Sequence, residues 1–126
     1  MYKHILVPVD GSTASMAAID KAAGLARAYG VPVTAIFVID PYPFTGVGAD
    51  FAYGQDQYLN AARAEAGAAI EAANQRLQAA GVQVDSRVVE SHAVWRGILE
   101  AAGAVGADLI VMGSHGCRGL EKLVLG

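Results

Sequence analysis

Three glycines near the end of the sequence have a spacing that suits a phosphate-binding loop. Gly113 and Gly116 flank a short turn after an aliphatic run, and Gly126 follows after nine further residues. Glycine lets backbone N–H groups approach an anion because no Cβ stands in the way. Gly113 and Gly116 alone would fit an ordinary tight turn better than a phosphate loop. We expect residues 120–125 to form a short helical turn that folds Gly126 back towards Gly116, so that a phosphate chain lies between the two glycine segments.

A second candidate is the carboxylate of Asp10, which follows the first aliphatic run of the chain. At the end of a strand, a carboxylate can accept hydrogen bonds from ligand hydroxyl or amino groups, or approach a metal ion that phosphates hold. It can also cap the turn and helix that begin at Gly11 and Ser12. Both interpretations of Asp10 stay open from the sequence.

Other kinds of chemistry have little support in the sequence. His4 and His92 are far apart and lack metal-ligand spacing, so no protein-held metal site is expected. Cys117 has no second cysteine to pair with, and an inert thiol in a reducing compartment is the simpler interpretation. Neither a Gly-x-Ser-x-Gly elbow nor a Gly-x4-Gly-Lys-Ser/Thr loop is present. We therefore assign no catalytic residue.

Length and composition narrow the class of protein. The 126 residues suffice for one domain with a single core. Twelve Asp and Glu residues against nine Lys and Arg, with a pI of about 5.5, argue against a nucleic-acid partner. The apolar runs are far shorter than the roughly 18 residues that suggest a membrane span. The first residues lead directly into a strand-like run, so we expect no signal peptide and a cytoplasmic location.

Aliphatic runs and helical periodicity alternate along the chain. Runs rich in Ile, Val and Leu predict four strands, at 5–9, 31–39, 82–89 and 109–112. Apolar residues at helical spacing predict helices at about 12–29, 55–80 and 93–105. This alternation predicts an α/β fold, an open parallel sheet with helices on both faces, in which ligands bind beyond the carboxyl ends of the strands. The third run includes more polar residues and suits a strand near an edge, and residues 41–54 are predicted to form a loop.

Three motifs, in this order and at these separations, resemble the universal stress protein family over the whole chain. They are Ile5-Leu6-Val7-Pro8-Val9-Asp10-Gly11-Ser12, Ala107-Asp108-Leu109-Ile110-Val111-Met112-Gly113-Ser114-His115-Gly116, and the Gly-x2-Gly-x9-Gly pattern. The resemblance implies a Rossmann-like sheet with strand order 3-2-1-4, and ATP as the ligand, with Mg²⁺ bound through its phosphates. It implies that the adenosine is bordered by Pro8, Val9, Asp10 and Val38. It also implies that the ribose and phosphates follow Met112, Gly113, His115, Gly116 and Gly126.

The resemblance also bears on assembly and on the last part of the chain. The family pattern continues beyond the last glycine with Ser or Thr, a helix and a fifth strand that takes part in the dimer contact, whereas this sequence stops at Gly126. We therefore expect a single nucleotide-binding domain over residues 1–126 that lacks this helix and fifth strand. A homodimer is the assembly that the resemblance implies.

Several functions remain open at this point. The first is an ATP-dependent regulatory or signalling module of the stress response, which the glycine pattern without catalytic groups favours. The second is a slow ATPase or nucleotidyl transferase that uses Asp10 in the same pocket. The third is a structural or interaction protein whose pocket binds no nucleotide. A flavin-binding protein of the flavodoxin type is a weaker fit, because residues 11–15 only partly provide the Ser/Thr-rich phosphate loop.

Overall fold

Strands and helices alternate along the chain, as the aliphatic runs predict. The computed structural model describes residues 2–40, 49–91, 93–113 and 122–124. The strands are β1 Ile5–Pro8, β2 Val33–Ile39, β3 Val84–Glu90, β4 Leu109–Val111 and β5 Lys122–Val124. The helices are α1 Thr13–Tyr29, α2 Ala49–Ala79 and α3 Val94–Val105. The four predicted strands and three predicted helices are all present, with the ends of the strands within two residues of the prediction.

The strands form one sheet in the order β3-β2-β1-β4-β5. β1 pairs in parallel with both β2 and β4, and β2 pairs in parallel with β3. Ile5 of β1 is level with Val33 on one side and with Leu109 on the other. The predicted order 3-2-1-4 and the edge position of β3 are therefore confirmed. The order reverses direction at β1, and in open α/β sheets such a reversal marks the usual position of a ligand site.

The two faces of the sheet carry different helices. On one face, α1 and α2 pack through alanines and aliphatic residues against Ile5 and Val7. On the other face, α3 packs against Leu6, Ile36 and Ile110. Successive residues of a strand point to opposite faces, so neighbours such as Ile5 and Leu6 belong to different clusters. Both are fully buried, which explains why the runs are continuously aliphatic and confirms the helices on both faces.

Helix α2 begins earlier than predicted. It starts at Ala49 and not near residue 55, so the predicted loop is wrong for residues 49–54. The aromatic and glycine content of this stretch suggested a loop, but a single internal Gly54 costs a helix only about 1 kcal/mol. A helix of 31 residues can absorb that cost through the packing of its later turns on the sheet. Residues 41–48 of the predicted loop lie outside the described residues.

A short fifth strand corrects one further expectation. β5 pairs antiparallel with β4, and Leu109 is level with Val124. The predicted helical turn is therefore wrong for residues 122–124. The fifth strand of the family pattern was expected after Gly126, and β5 precedes that position. The free edge of β4 offers unpaired N–H and C=O groups, and pairing with it satisfies more backbone groups than an isolated turn would. Gly126 lies outside the described residues.

Within the part of the chain that is described, no helix is both long enough and apolar enough to cross a membrane.

The amino ends of β1 and β4 are joined by one carboxylate. Asp108 accepts hydrogen bonds from the backbone N–H groups of Lys3 and His4, at 2.9 to 3.2 Å. Burial alone would raise the pKa of Asp108, but these hydrogen bonds outweigh it and hold the pKa below its ordinary value. The Nε2 atom of His4 lies 2.6 Å from the hydroxyl oxygen of Thr34, a fully buried residue of the neighbouring strand β2.

We expect His4 to make the protein less stable as the pH falls below the ordinary pKa of histidine, about 6.5. Burial lowers the pKa of His4, against the attraction of Asp108 and Asp85. The unfolded chain therefore takes up this proton at a higher pH than the folded chain, so the stability is present above about pH 6.5 and is lost below it. Urea midpoints of wild type and His4→Gln at about pH 7.5 and about pH 5.5 measure this. The variant should lose less stability than wild type, and equal losses would contradict the assignment.

Candidate functional site

A cavity opens at the carboxyl ends of β1, β2 and β4, where the strand order reverses. Its volume is about 240 Å³. The first turn of α1 borders it, and so does the start of α3 through Val94 and Ile98. Helices from both faces of the sheet thus meet around the ends of the central strands. Parallel α/β sheets place ligands at this position.

Two-thirds of the residues predicted for the site lie in this cavity. Six of the nine line it: Pro8, Val9, Asp10, Val38, Met112 and Gly113. The other three are His115, Gly116 and Gly126, and they lie outside the described residues. The cavity therefore contains every predicted site residue that the structure describes.

Asp10 is held by a short hydrogen-bonded turn at the start of α1. Its Oδ1 atom accepts a hydrogen bond from the backbone N–H of Ser12 at 2.9 Å. The Oγ atom of Ser12 in turn accepts from the backbone N–H of Ser15 at 3.1 Å, which makes Ser12 the N-cap of the helix. The buried hydroxyl of Ser15 donates to the carbonyl of Ser12 at 3.0 Å. The capping interpretation of Asp10 is therefore confirmed, and it fixes the carboxylate at the rim of the cavity.

The same turn keeps Asp10 ionised. Partial burial is the largest single influence and would raise the pKa of the carboxyl group. Hydrogen bonds from Ser12 and Ser15 act in the opposite direction, and their sum leaves the pKa below its ordinary value. Asp10 is thus a fixed negative charge at neutral pH, and it can only accept hydrogen bonds from a ligand.

We expect Ser12→Ala to destabilise the fold by about 1 kcal/mol, because the helix loses its N-cap and one N–H group loses its acceptor. The neighbouring Thr13→Ala is the matched control. Thr13 is exposed at the first position of α1 and should change stability by less than about 0.5 kcal/mol. Urea unfolding of both variants measures the difference, and equal stabilities would show that the cap contributes little.

Gly113 is packed against the first turn of α1. A Cβ atom at this position would lie 2.7 Å from both the carbonyl carbon and the carbonyl oxygen of Ala14. These are backbone atoms and cannot move aside as the end of a flexible side chain can. Gly113 therefore has a packing reason to be glycine, whatever binds in the cavity. The contact brings the end of β4 against α1 and closes one side of the cavity.

The family of this chain follows from a match to a protein-family model over its whole length. The model of the universal stress protein family matches residues 1–126. The chain belongs to the universal stress protein family. A universal stress protein of Methanocaldococcus jannaschii is 34% identical over 127 residues, which span all of this chain and 72% of the relative.

Solved structures of universal stress proteins share this fold. A crystal structure of a family member from Burkholderia pseudomallei has a TM-score of 0.78 and 31% identity, covering 91% of this chain and 83% of the other. A universal stress protein solved in complex with cAMP has a TM-score of 0.65 and 28% identity, covering 91% of this chain and 75% of that chain. The family resemblance seen in the three motifs is thereby confirmed.

The cavity of this universal stress protein also includes residues that the motifs do not mark. They are Ala14, Ser15, Phe37, Val94 and Ile98. Val94 and Ile98 are four residues apart and so lie on one face of α3, a spacing that is visible in the sequence. Because α3 follows a parallel strand, its start is expected at the carboxyl end of the sheet, but the sequence alone does not tell that these two side chains reach the cavity. Among the described residues, no group of three or more His, Cys, Asp or Glu side chains is placed to hold a metal ion.

Proposed function

We propose that this universal stress protein binds an adenine nucleotide, ATP above all, with the adenosine part in the cavity at the carboxyl ends of β1, β2 and β4. The observation that carries the proposal is the cavity itself. Six residues chosen from the sequence as adenosine, ribose or phosphate contacts line it together. A relative that is 28% identical was solved in complex with cAMP, which is also an adenine nucleotide.

The lining suits a nucleoside better than a whole triphosphate. Its apolar side chains, among them Phe37, Val38, Ile98 and Met112, offer surfaces against which a flat base can pack. Asp10 is the ionised acceptor at the rim, suited to ribose hydroxyls or to an exocyclic amino group. A volume of about 240 Å³ is below the roughly 300–1,000 Å³ of pockets that enclose a complete drug-sized ligand. The phosphates therefore extend out of the cavity.

The phosphate contacts are assigned to the glycine segments. No Lys, Arg or His is among the described residues that line the cavity, and Asp10 repels an anion. We assign the phosphates to the backbone near Gly113, and to His115, Gly116 and Gly126, with Mg²⁺ bound through the phosphate oxygens. The ion reduces the repulsion between the phosphates and Asp10, so affinity for ATP should depend on Mg²⁺ more than affinity for adenosine does.

Binding is favoured over hydrolysis. Asp10 is the one ionisable side chain among the described lining residues, and its lowered pKa makes it a weak general base near neutral pH. We therefore propose a regulatory or signalling module of the stress response, cytoplasmic and homodimeric, in which occupancy by the nucleotide changes the conformation or the dimer stability. Slow hydrolysis would be incidental to this role.

Isothermal titration of the full chain with ATP and Mg²⁺ tests the proposal. We expect saturable binding, and competition by AMP and cAMP because they share the adenosine part. GTP is the control for the base and should compete less well. No heat at nucleotide concentrations up to the order of millimolar would contradict the proposal, since a Kd of 1 mM corresponds to only about 4 kcal/mol of binding free energy.

A further inference from the structure

Gly97 of helix α3 is packed closely against Val38, near the carboxyl end of β2. A Cβ atom on Gly97 would lie 3.2 Å from the Cγ1 atom of Val38 and 2.8 Å from the Cβ atom of Ser91. Gly97 is a buried residue in the first turn of α3, and its backbone N–H donates to the carbonyl of Ala93 at 3.0 Å. Because a real Cβ essentially never comes within 3.0 Å of another atom, any side chain at this position displaces a neighbour.

Both sides of this close contact are walls of the cavity. Val38 forms the wall on the side of β2. Val94 and Ile98 form the wall on the side of α3, three residues before Gly97 and one residue after it. The distance between helix and strand at Gly97 therefore sets the width of the cavity between these walls.

Ser91 is the neighbour that is less free to move. Its backbone N–H donates to the carbonyl of Ile39 at 2.9 Å, which extends the pairing of β2 and β3 by one residue. Its hydroxyl donates to the carbonyl of Ala93 at 2.8 Å, just before α3 begins. Because Ser91 is held in this way, a side chain at position 97 must lift α3 away together with Val94 and Ile98, and it presses on Val38 at the same time.

We propose that Gly97 is a positioning residue of the nucleotide site, whose missing side chain sets the width of the apolar slot between β2 and α3 that takes the base. The proposal rests on the proposed function, because it assigns the base to this slot. Neither the family motifs nor the predicted site residues include Gly97. It acts through Val38 and through the position of α3, and does not itself line the cavity.

The test compares Gly97→Ala with Gly103→Ala. Both replacements lie in α3 and add the same methyl group, with the same gain in helix propensity. A Cβ atom on Gly103 would meet nothing within 4 Å. Isothermal titration uses ATP with Mg²⁺ as one probe and adenosine as the other. We expect Gly97→Ala to weaken both by about tenfold, since overpacking acts on the part that the two share. Gly103→Ala should bind as wild type does.

A double-mutant cycle identifies the route of the effect. In a Val38→Ala background, the Cγ1 atom that Gly97→Ala displaces is gone, so the loss of affinity caused by Gly97→Ala should shrink. Wild-type affinity in Gly97→Ala, or a loss for ATP without a loss for adenosine, would overturn the positioning role. Equal losses in the two backgrounds would overturn the route through Val38. If Gly97→Ala does not fold, the same titrations use Gly97→Ala with Ser91→Gly, which removes the 2.8 Å contact and keeps the one to Val38.

A second measurement separates this proposal from the proposed function. Methyl NMR spectra of the unliganded wild type and of Gly97→Ala report on Val38 and Ile98 without any nucleotide. We expect both methyl signals to shift in Gly97→Ala and to stay unchanged in Gly103→Ala. If wild type binds neither probe, the proposed function fails, and unchanged signals of Val38 and Ile98 in Gly97→Ala are then the result that overturns the positioning role.

Discussion

Gly113→Ala is expected to destabilise the fold by about 3 kcal/mol, the upper part of the range for overpacking a tight contact. The added Cβ atom meets backbone atoms of Ala14 at 2.7 Å, so either β4 or the first turn of α1 must shift. Both border the cavity, and the variant should therefore also lose nucleotide affinity. Urea unfolding, followed by the tryptophan signal and by circular dichroism, measures the loss of stability.

Two further variants make the Gly113 prediction specific. Gly24→Ala adds a methyl group to an exposed position of α1 that meets nothing within 4 Å, and it should leave stability unchanged or raise it by up to about 1 kcal/mol. Ala14→Gly in the Gly113→Ala background removes only the 3.0 Å contact with the Ala14 side chain. It should rescue little, because the clash with the backbone remains. Wild-type stability in Gly113→Ala would show that β4 and α1 have room to separate.

Asp10→Ala should lower the affinity for adenosine roughly 30-fold, which corresponds to about 2 kcal/mol for hydrogen bonds to a charged acceptor. Adenosine is the better probe because it carries no phosphate for the carboxylate to repel. The pKa of Asp10 lies below its ordinary value, so the group stays ionised as the pH falls from about 8 to about 5 and the affinity should not change through Asp10 in that window. Isothermal titration with adenosine at both ends of this range measures both effects.

Asp10→Asn is the control for the structural role of this residue. Its side-chain oxygen can still accept the hydrogen bond from the backbone N–H of Ser12, so the turn should survive. We expect nearly wild-type stability and an adenosine affinity between those of wild type and Asp10→Ala. If Asp10→Ala binds adenosine as tightly as wild type, Asp10 serves only as the cap of the turn. If Asp10→Ala releases phosphate from ATP at the wild-type rate, an ATPase that depends on Asp10 is excluded.

The elements of the fold were predictable because their signals are local. β1, β2 and β4 are buried on both faces, and such strands show as continuous aliphatic runs without reference to the rest of the chain. The glycines at positions 30 and 106, which end α1 and α3 in the left-handed region, mark the ends of these helices equally well. The early start of α2 and the strand β5 were not predictable in this way. Packing and the free edge of β4 outweigh the local preferences of those residues.

The candidate site was predictable from its motifs and less so from its packing. Asp10 and Gly113 could be chosen because each directly follows an aliphatic run. The close contacts of Gly113 with Ala14, and of Gly97 with Val38, join residues that are distant in the sequence. Neither contact leaves a periodic signal in the sequence. Gly113 was thus selected for an expected role near phosphate, and the structure gives it a packing role that the sequence did not indicate.

The central position of β1 has a consequence for synthesis on the ribosome. Its two neighbours are β2, close by in the sequence, and β4, whose Leu109 is level with Ile5. At roughly 5–20 residues per second, the about one hundred residues between these partners take on the order of 5–20 s to appear. Throughout that interval β1 keeps one edge unpaired, and an unpaired hydrophobic edge is prone to join a strand of another chain. The nascent chain therefore needs shielding at β1 until β4 has been made.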